Sequence, residues 1–379
     1  MARRGPVGTS EQSSGPVDDT DGELRAADVD GEGSAETDHP VTLSPRHGGS
    51  CEDEPVAAVE EHPQPTFPEL FERIVENIGR VIRGKDRLIR LATLCLVSEG
   101  HLLVEDVPGV GKTSLAKALA RTVDGTFGRI QFTPDLLPSD VLGTAIWNQQ
   151  TASFEYRPGP IFANILLADE INRASPKTQS ALLESMAEEQ VTLDGATHPL
   201  ERPFMVIATQ NPIEHQGTYP LPESQLDRFL MRLEVGYPAR SDELQILTDG
   251  GGDQVLSTLG PVISAGYVTA MGDFVKRVHV GAALSGYLLD LAAATRTHRH
   301  LALGMSPRAV LGLQRAIRVH AAADGRSFAG PDDVKELAPV VLAHRLIVAP
   351  EALLQGVTSA DVIGEILAAT PVPRETPTA

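Results

Sequence analysis

Apolar residues in the first patterned part of the chain alternate between helical spacing and short continuous runs. They recur at intervals of three or four between Phe67 and Gly79, which predicts an amphipathic helix. A second helix is predicted from about Lys85 to Ser98, followed by a short apolar strand at Leu102–Val104. After a turn rich in glycine and proline, the pattern predicts a helix from Thr113 to about Val123.

Three further apolar runs predict buried strands, at Arg129–Phe132, Ile165–Ala168 and Phe204–Ala208. Short continuous runs of this kind are typical of strands that are covered on both faces of a parallel sheet. A helix is predicted at Lys177–Glu189, between the last two runs. The alternation predicts an α/β domain over residues 66–237, with a parallel sheet layered between helices.

The pattern changes after Tyr237, where Pro238 and a glycine-rich stretch predict a linker over residues 238–281. From about Ala282 the pattern is helical only, which predicts a small all-helical second domain over 282–370. Its helices are expected at Ala282–Thr297, after the N-cap Ser306 with Pro307 in the first position, from Pro331, and near Ala360–Ala369.

Composition separates residues 1–65 from the rest. They hold 15 acidic and 4 basic residues, a net charge of −11 in a chain whose total is −19. A segment rich in Gly, Ser, Asp, Glu and Pro cannot bury enough apolar surface to offset its chain entropy. We therefore predict a disordered acidic tail, with a tethering or regulatory arm as the functional alternative.

Charge and cysteine content exclude several classes of protein. The acidic balance argues against general binding to nucleic acid or to an anionic membrane. Cys51 and Cys95 cannot form a disulfide framework, and no apolar run is long enough for a transmembrane helix. Arg3 and Arg4 are not followed by an apolar segment, so no signal peptide is expected. The default expectation is a soluble cytoplasmic protein.

The strongest chemical signal is Gly109-Val110-Gly111-Lys112-Thr113, which follows a predicted strand and opens a helix. Backbone N–H groups and a helix N-terminus bind phosphate at such a place. Lys112 is expected to pair with the β- and γ-phosphates of a nucleotide, and the Thr113 hydroxyl to hold Mg²⁺. The strict pattern has glycine where this chain has Asp106, and a structural turn of similar sequence is the alternative.

Polar residues follow two other predicted strands. Asp169 and Glu170 end the Ile165–Ala168 run, where the first suits an Mg²⁺ contact through water and the second a general base. Asn211 follows the next strand and can orient a water molecule near the γ-phosphate. Read alone, the Asn211 region is better explained as a turn stabilised by side-chain hydrogen bonds.

Two arginines are candidates for a role in trans or in ligand binding. Arg228, expected to be exposed after a turn-rich run, could reach the γ-phosphate of a neighbouring subunit as an arginine finger. Its alternative is a salt bridge to Asp227 or Glu223. Arg308 lies in the first turn of a helix, which is unfavourable for a cation and suggests a ligand, although it could be an incidental surface residue.

Taken in this order, the motifs resemble the MoxR-type AAA+ ATPases, from about Pro68 to Ala369. The most specific stretches are Glu105–Thr113, Ala168–Ala174, Ala208–Pro212, Leu221–Phe229 and Ser306–Ala309. An Asp at position 106 is usual in that family. The resemblance implies a P-loop AAA+ core, a parallel sheet with helices on both faces, followed by a small all-helical lid domain.

The resemblance also implies roles for individual residues, with ATP and Mg²⁺ as ligands. Pro108, Gly109, Val110, Gly111, Lys112, Thr113 and Ser114 match the Walker A loop, Asp169 and Glu170 match Walker B, Asn211 matches the polar sensor, Arg228 matches the arginine finger, Arg308 matches the second sensor in the lid, and Ile82 lies in the segment beside the adenine. Thr113 and Asp169 are the expected metal ligands.

Members of this family carry two hairpins that face the ring pore or a bound client. The resemblance implies hairpins at Ala152–Ile161, within the second core helix, and at Gln190–Arg202, with Asp194-Gly195 as the turn. Plain surface loops are the alternative. These stretches hold only Arg157 and Arg202 as basic residues, which does not favour nucleic acid.

The family resemblance implies a hexameric ring chaperone that works with a client or a von Willebrand factor A domain partner, in some cases to insert metal cofactors. The first hypothesis is therefore an ATP-hydrolysing ring remodeller. The alternative is a nucleotide-gated adaptor with little hydrolysis, against which intact Glu170 and Arg228 argue. A DNA motor is a poorer third candidate.

Overall fold

The computed structural model describes residues 65–107, 109–193, 195–211, 217–248 and 252–372. Residues 1–64 of the predicted disordered tail therefore lie outside the described residues, as do Pro108 and Asp194. All described residues belong to one compact unit that begins at His62. None of the helices in these ranges is long and apolar enough to cross a membrane.

Helices and strands alternate through the first half of the described chain. The helices are α1 Phe67–Gly79, α2 Asp86–Val97, α3 Lys112–Thr122, α4 Pro138–Leu142, α5 Pro176–Glu188, α6 Glu223–Leu226, α7 Arg240–Thr248, α8 Gly252–Thr258, α9 Ala265–Val275, α10 Ala282–Thr297, α11 Pro307–Ala323, α12 Pro331–Leu342, α13 Pro350–Leu353 and α14 Ser359–Ala369. The strands are β1 Leu102–Glu105, β2 Phe127–Gln131, β3 Gly143–Asn148, β4 Ser153–Pro158, β5 Ile165–Asp169, β6 Gln190–Leu193, β7 Ala196–Pro199, β8 Met205–Gln210, β9 Met231–Leu233, β10 Leu301–Leu303 and β11 Ile347–Val348.

Five strands form a parallel central sheet in the order β2-β5-β8-β1-β9. The four strands predicted from apolar runs are confirmed. The fifth, β9, was not predicted because its three residues continue an apolar run that also contains Phe229 and Leu230. A parallel sheet brings the carboxyl ends of its strands to one edge, where ligands of α/β proteins bind.

The central strands are buried on both faces. Leu102 and Val104 pack in a cluster with side chains of α3, whereas Leu103 packs in a second cluster with side chains of α5. The same alternation runs along β5, where Leu167 joins the first cluster and Leu166 the second. This explains the uninterrupted apolar runs, because every position of such a strand faces a helix.

Two antiparallel hairpins project from the α/β core. The first pairs β3 with β4, from Gly143 opposite Pro158 to Asn148 opposite Ser153. It therefore begins well before Ala152, so the predicted bounds Ala152–Ile161 contain only its second strand. The shift arises because residues 149–152 form the turn, not the start, of the hairpin. The second hairpin pairs β6 with β7, and Gly195 at its turn has φ +81°.

Residues 238–281 contain three helices, α7 to α9, where a linker was expected. In α9 the buried residues Val268, Met271 and Val275 are three and four positions apart, and the Ser264 hydroxyl accepts a hydrogen bond from the Tyr267 N–H. Pro238 precedes α7, and Gly252 is the first residue of α8. The apolar spacing within α9 is that of a helix.

The last part of the chain is helical, with the predicted helices confirmed at α10, α11, α12 and α14. The Ser306 hydroxyl caps α11 by accepting from the Ala309 N–H at 3.0 Å. Two short antiparallel strands, β10 and β11, add the only sheet described in this region. Apolar residues of α11 and α12 belong to the same cluster as those of α3, so the helical part and the α/β core share one hydrophobic core.

Candidate functional site

A glycine-rich loop connects the end of β1 to the start of α3. Gly109 has φ +86° and Gly111 has φ +93°, values that favour glycine because a Cβ strains this backbone conformation. A Cβ at either position meets nothing within 4 Å, so the requirement comes from the backbone and not from space. The loop therefore directs the N-terminus of α3 into an open cavity, as a phosphate-binding loop does.

Asp106 holds this loop in place of the glycine of the strict motif. One carboxylate oxygen accepts from the Val107 N–H at 2.7 Å, and the other accepts from the N–H of Gly236, after β9. The Lys112 ammonium donates to the Asp106 carbonyl at 2.8 Å. Burial lowers the pKa of Lys112, while the nearby charges of Asp106, Asp169 and Glu170 act in the opposite direction.

The two predicted carboxylates end strand β5, and Thr209 of β8 joins them. The Thr209 hydroxyl donates to Asp169 Oδ1 at 2.7 Å and accepts from the Glu170 N–H at 2.8 Å. The Arg129 guanidinium donates to Asp169 Oδ2 at 2.8 Å. These contacts fix the backbone at the point where the chain turns from the sheet into the cavity.

Glu170 adopts a conformation that is uncommon for a residue with a side chain. Its φ is +56°, and such strain costs on the order of 1–3 kcal/mol and is concentrated at functional sites. Its carboxylate accepts from the Gln131 amide at 2.9 Å and from the Arg173 guanidinium at 3.1 Å. The strained residue is therefore oriented by two side chains from different elements.

One cavity of about 470 Å³ collects most of the residues predicted to bind phosphate and metal. Its wall holds three cations, two carboxylates, two hydroxyls and an amide. The lining residues are Gly109, Gly111, Lys112, Thr113, Ser114, Lys117, Arg129, Asp169, Glu170 and Asn211. The cations suit a chain of phosphates, and the oxygens of Thr113 and Asp169 are the hard ligands that Mg²⁺ prefers.

A second cavity, of about 230 Å³, adjoins the first and shares Gly109, Gly111 and Ser114 with it. Its walls are largely apolar and include Ile82 and Val110. An apolar slot beside a phosphate site is suited to a flat heteroaromatic base. The segment expected to lie beside the adenine is therefore next to the phosphate loop.

Arg228 and Arg308 do not line either cavity. They line a third one, of about 110 Å³, together with Arg315 and Arg345. Arg228 is half-buried, not exposed as expected, and its guanidinium donates to the Leu183 carbonyl at 2.6 Å instead of to Asp227 or Glu223.

This third cavity lies at the amino ends of the strands. It is lined by Gly100 and His101, which precede β1, and the Leu230 N–H donates to the His101 carbonyl at 2.8 Å. The phosphate loop follows the opposite end of β1. A strand rises about 3.3 Å per residue, so about 16 Å separates His101 from Asp106 along the chain.

The sequence analysis missed several residues that line these cavities or, like Thr209, hydrogen-bond to residues that line them. Thr209 was quoted within a motif without a role, and Lys117 and Arg129 were not singled out. No sequence motif points to Arg345, because only the fold brings it to the third cavity. Arg315 did have one, because it lies seven residues after Arg308 and therefore on the same face of α11.

A phosphate loop after β1, two carboxylates at the end of β5 and a following helical domain define an ATPase of the AAA+ class. Residues 101–231 match the ATPase family associated with various cellular activities (AAA), and residues 293–366 match the AAA lid domain. The chain is 43% identical over 318 residues to Chaperone MoxR1 of Mycobacterium tuberculosis, covering 80% of this chain and 82% of that protein. It belongs to the MoxR family of AAA+ ATPases.

Two further proteins are similar to most of this chain. The chain is 48% identical over 304 residues to the Bacillus subtilis protein YeaC, covering 80% of this chain and 95% of that protein. A crystal structure of a Cytophaga hutchinsonii protein is 37% identical, with a TM-score of 0.76, and the match covers 81% of this chain and 96% of that one.

Proposed function

We propose that this protein binds ATP with Mg²⁺ in the phosphate-loop cavity and hydrolyses it to ADP and phosphate. The observation that carries the proposal is the convergence of Lys112, Asp169, Glu170 and Asn211 on one cavity. We assign the nucleotide-binding core to residues 66–237 and the lid to 282–370, with residues 238–281 connecting them. The polar cavity then takes the phosphates and the apolar cavity at Ile82 takes the adenine.

Each side chain of the cavity has a distinct task in this proposal. The loop N–H groups and Lys112 hold the β- and γ-phosphates, while Thr113 and Asp169 hold Mg²⁺. The bound metal neutralises charge on the phosphate oxygens. Glu170 accepts a proton from the attacking water, and Asn211 orients that water. Gln131 and Arg173 orient Glu170 through their hydrogen bonds to its carboxylate.

Arg228 and Arg308 act on the ATP of the next subunit. Both line the cavity at the amino ends of the strands, and the phosphate loop lies at the carboxyl ends. Opposite ends of the central sheet in one subunit therefore carry the two halves of a site. Head-to-tail contacts generate a ring when the rotation between successive subunits closes, and we propose a closed hexamer.

We propose that the ring remodels a client protein as a chaperone, in the cytoplasm. The hairpin of β3 and β4 supports this role, because Trp147 is 50% and Phe154 is 71% exposed and their rings lie 5.1 Å apart. Exposed aromatic residues suit contact with an apolar client segment. A von Willebrand factor A domain partner and a role in metal cofactor insertion complete the proposal, and no nucleic acid or membrane insertion is involved.

The experiment is ATP turnover measured against protein concentration, with the mass in solution recorded in parallel. We expect turnover per subunit to rise with assembly. Glu170→Gln should keep ATP binding and lose turnover, because an amide cannot accept the proton. Lys112→Ala should lose ATP binding, because the phosphates lose their main counter-charge.

Two outcomes would contradict the proposal. Unchanged ATP affinity in Lys112→Ala would place the nucleotide elsewhere, and normal turnover in Glu170→Gln would remove the assigned base. Tight binding without turnover at any concentration would instead favour a nucleotide-gated adaptor.

A further inference from the structure

Asp227 lies immediately before the proposed arginine finger and contacts the lid on two sides. Its Oδ2 accepts a hydrogen bond from the Ser306 hydroxyl at 2.8 Å. Its Oδ1 lies 3.4 Å from the Nε of Arg345. Ser306 caps α11, the helix that carries Arg308 in its first turn, so one carboxylate links the segment of the finger to the helix of the second sensor.

The lid also holds the backbone on both sides of Arg228. The Arg345 guanidinium donates to the Phe229 carbonyl at 2.7 Å and to the Asp227 carbonyl at 3.4 Å. The His344 Nε2 lies 2.9 Å from the same Phe229 carbonyl, so it donates there. Arg228 therefore sits between two carbonyls that the lid turn at Ala343–Arg345 binds, and its own side chain is tied to Leu183 of α5.

The charges around Asp227 explain why a carboxylate is needed at this point. Arg228, Arg308, Arg315 and Arg345 line one cavity, and Arg345 has a side chain that is only 4% exposed. Burial lowers the pKa of Arg345 to about 10; Asp227 acts against this, and the neighbouring arginines add to it. Glu99 and Glu189 also line this cavity, but Glu99 pairs with Arg202, and Asp227 is the carboxylate that lies against Arg345. Without this half-buried carboxylate, the four guanidinium groups would repel one another more strongly at the place where two must hold a set spacing.

We propose that Asp227 is a positioning residue for hydrolysis in the neighbouring subunit, where it sets the spacing of Arg228 and Arg308 through Ser306 and Arg345. The proposal rests on the function proposed above, since it requires that both arginines act on the next subunit's ATP. In this arrangement the finger and the lid arginine move as one unit.

The first test is Asp227→Asn, which keeps the size of the side chain and an acceptor for Ser306 but removes the charge opposite Arg345. We expect kcat to fall about 10–100-fold, the range expected when catalytic groups are misplaced by about 1 Å. The Kd for ATP should not change, because binding occurs at the other end of the strands. Unchanged kcat would overturn the proposal.

The second test measures turnover in assemblies mixed from two variant chains. A residue with a merely structural role would not give the expected pattern. Chains with Asp227→Asn and chains with Glu170→Gln should regain activity together, since some interfaces then join an intact base to an intact arginine pair. Chains with Asp227→Asn and chains with Arg228→Ala should not, because both changes affect the same side of the interface. The reverse pattern would show that Asp227 serves its own subunit's ATP and would overturn the proposal.

Controls separate this proposal from folding and from the function itself. Asp290→Asn, an exposed change of the same chemistry on α10, should leave kcat and mass unchanged. If Asp227→Asn does not assemble, Ser306→Gly replaces it, because glycine is an adequate N-cap but lacks the hydroxyl that donates to Asp227. Should Lys112→Ala and Glu170→Gln also leave turnover unchanged, the proposed function fails; if only the Asp227 and Ser306 variants do so, this inference alone fails.

Discussion

At the scale of single residues, the phosphate loop depends on an aspartate as much as on its glycines. Gly109 and Gly111 are required by their positive φ values, but Asp106 is not at such a position. Its carboxylate instead accepts from Val107 and from Gly236, which joins the loop to the segment beside the apolar cavity. The aspartate that departs from the strict motif thus adds two hydrogen bonds that hold the loop.

This gives a prediction that runs against the motif. Asp106→Gly restores the strict pattern but leaves the half-buried Gly236 N–H without its acceptor, which costs about 0.5–1.5 kcal/mol, the net contribution of a typical hydrogen bond. We expect a lower free energy of unfolding and weaker ATP binding, measured by chemical denaturation and by calorimetric titration. Asp106→Asn keeps one acceptor oxygen but places an amide NH₂ where the other stood, so it should lose one of the two hydrogen bonds and have a smaller effect than Asp106→Gly. Tighter ATP binding in Asp106→Gly would contradict this account.

At the scale of elements, a charged cluster joins the end of α11 to the start of α12. His320 Nδ1 donates to Asp333 Oδ1 at 2.6 Å, and Arg326 binds the same carboxylate, whose side chain is only 2% exposed. Asp324 and Glu336 also face the imidazole. The hydrogen bond to Asp333 raises the pKa of His320, and Arg326 together with His320 lowers that of Asp333 despite its burial.

The cluster predicts a pH-dependent stability. Because the pKa of His320 is raised above its ordinary 6.5, the stabilisation is complete below pH 6.5 and is lost as pH rises through the folded-state pKa. His320→Gln should therefore lower the free energy of unfolding by about 1 kcal/mol at pH 6 and by less at pH 9. Chemical denaturation at both values measures this, with His279→Gln, an exposed histidine, as control. An equal loss at both pH values would show that the charge of His320 is not involved.

At the scale of the whole molecule, the proposed site is divided between the two ends of the central sheet. Lys112, Asp169 and Glu170 line the cavity at the carboxyl ends, whereas Arg228 and Arg308 line the one at the amino ends. A single chain therefore presents half of a site on each side. Activity should therefore depend on assembly. In mixed assemblies it should also depend on which substituted residues meet at each subunit interface.

The corresponding prediction concerns mixed assemblies. Arg228→Ala and Glu170→Gln chains should each be inactive, yet mixing them should restore part of the turnover, because some interfaces then pair an intact base with an intact finger. The measurement is ATP turnover against mixing ratio, with native mass as proof of co-assembly. Co-assembly without any recovery would rule out action across the interface.

The sequence by itself determined the elements and the local chemistry. The bounds of α1 and α10 and the start of α11 were predicted nearly to the residue, because apolar spacing and capping residues act within a few positions of the chain. The glycine loop, Asp169 with Glu170, and Asn211 were also predicted, since each directly follows a strand. Local patterns carry such information without any long-range contact.

Only the tertiary structure decided which of these pieces meet. The placement of β9 at the sheet edge, the bond from Asp106 to Gly236, the link from Thr209 to Asp169, and the grouping of Arg228 with Arg308, Arg315 and Arg345 all join residues far apart in the chain. The same holds for α9, because its apolar face is buried only where the helix packs on the core. Such contacts depend on how elements pack together, and no periodicity within one element encodes the identity of its neighbour.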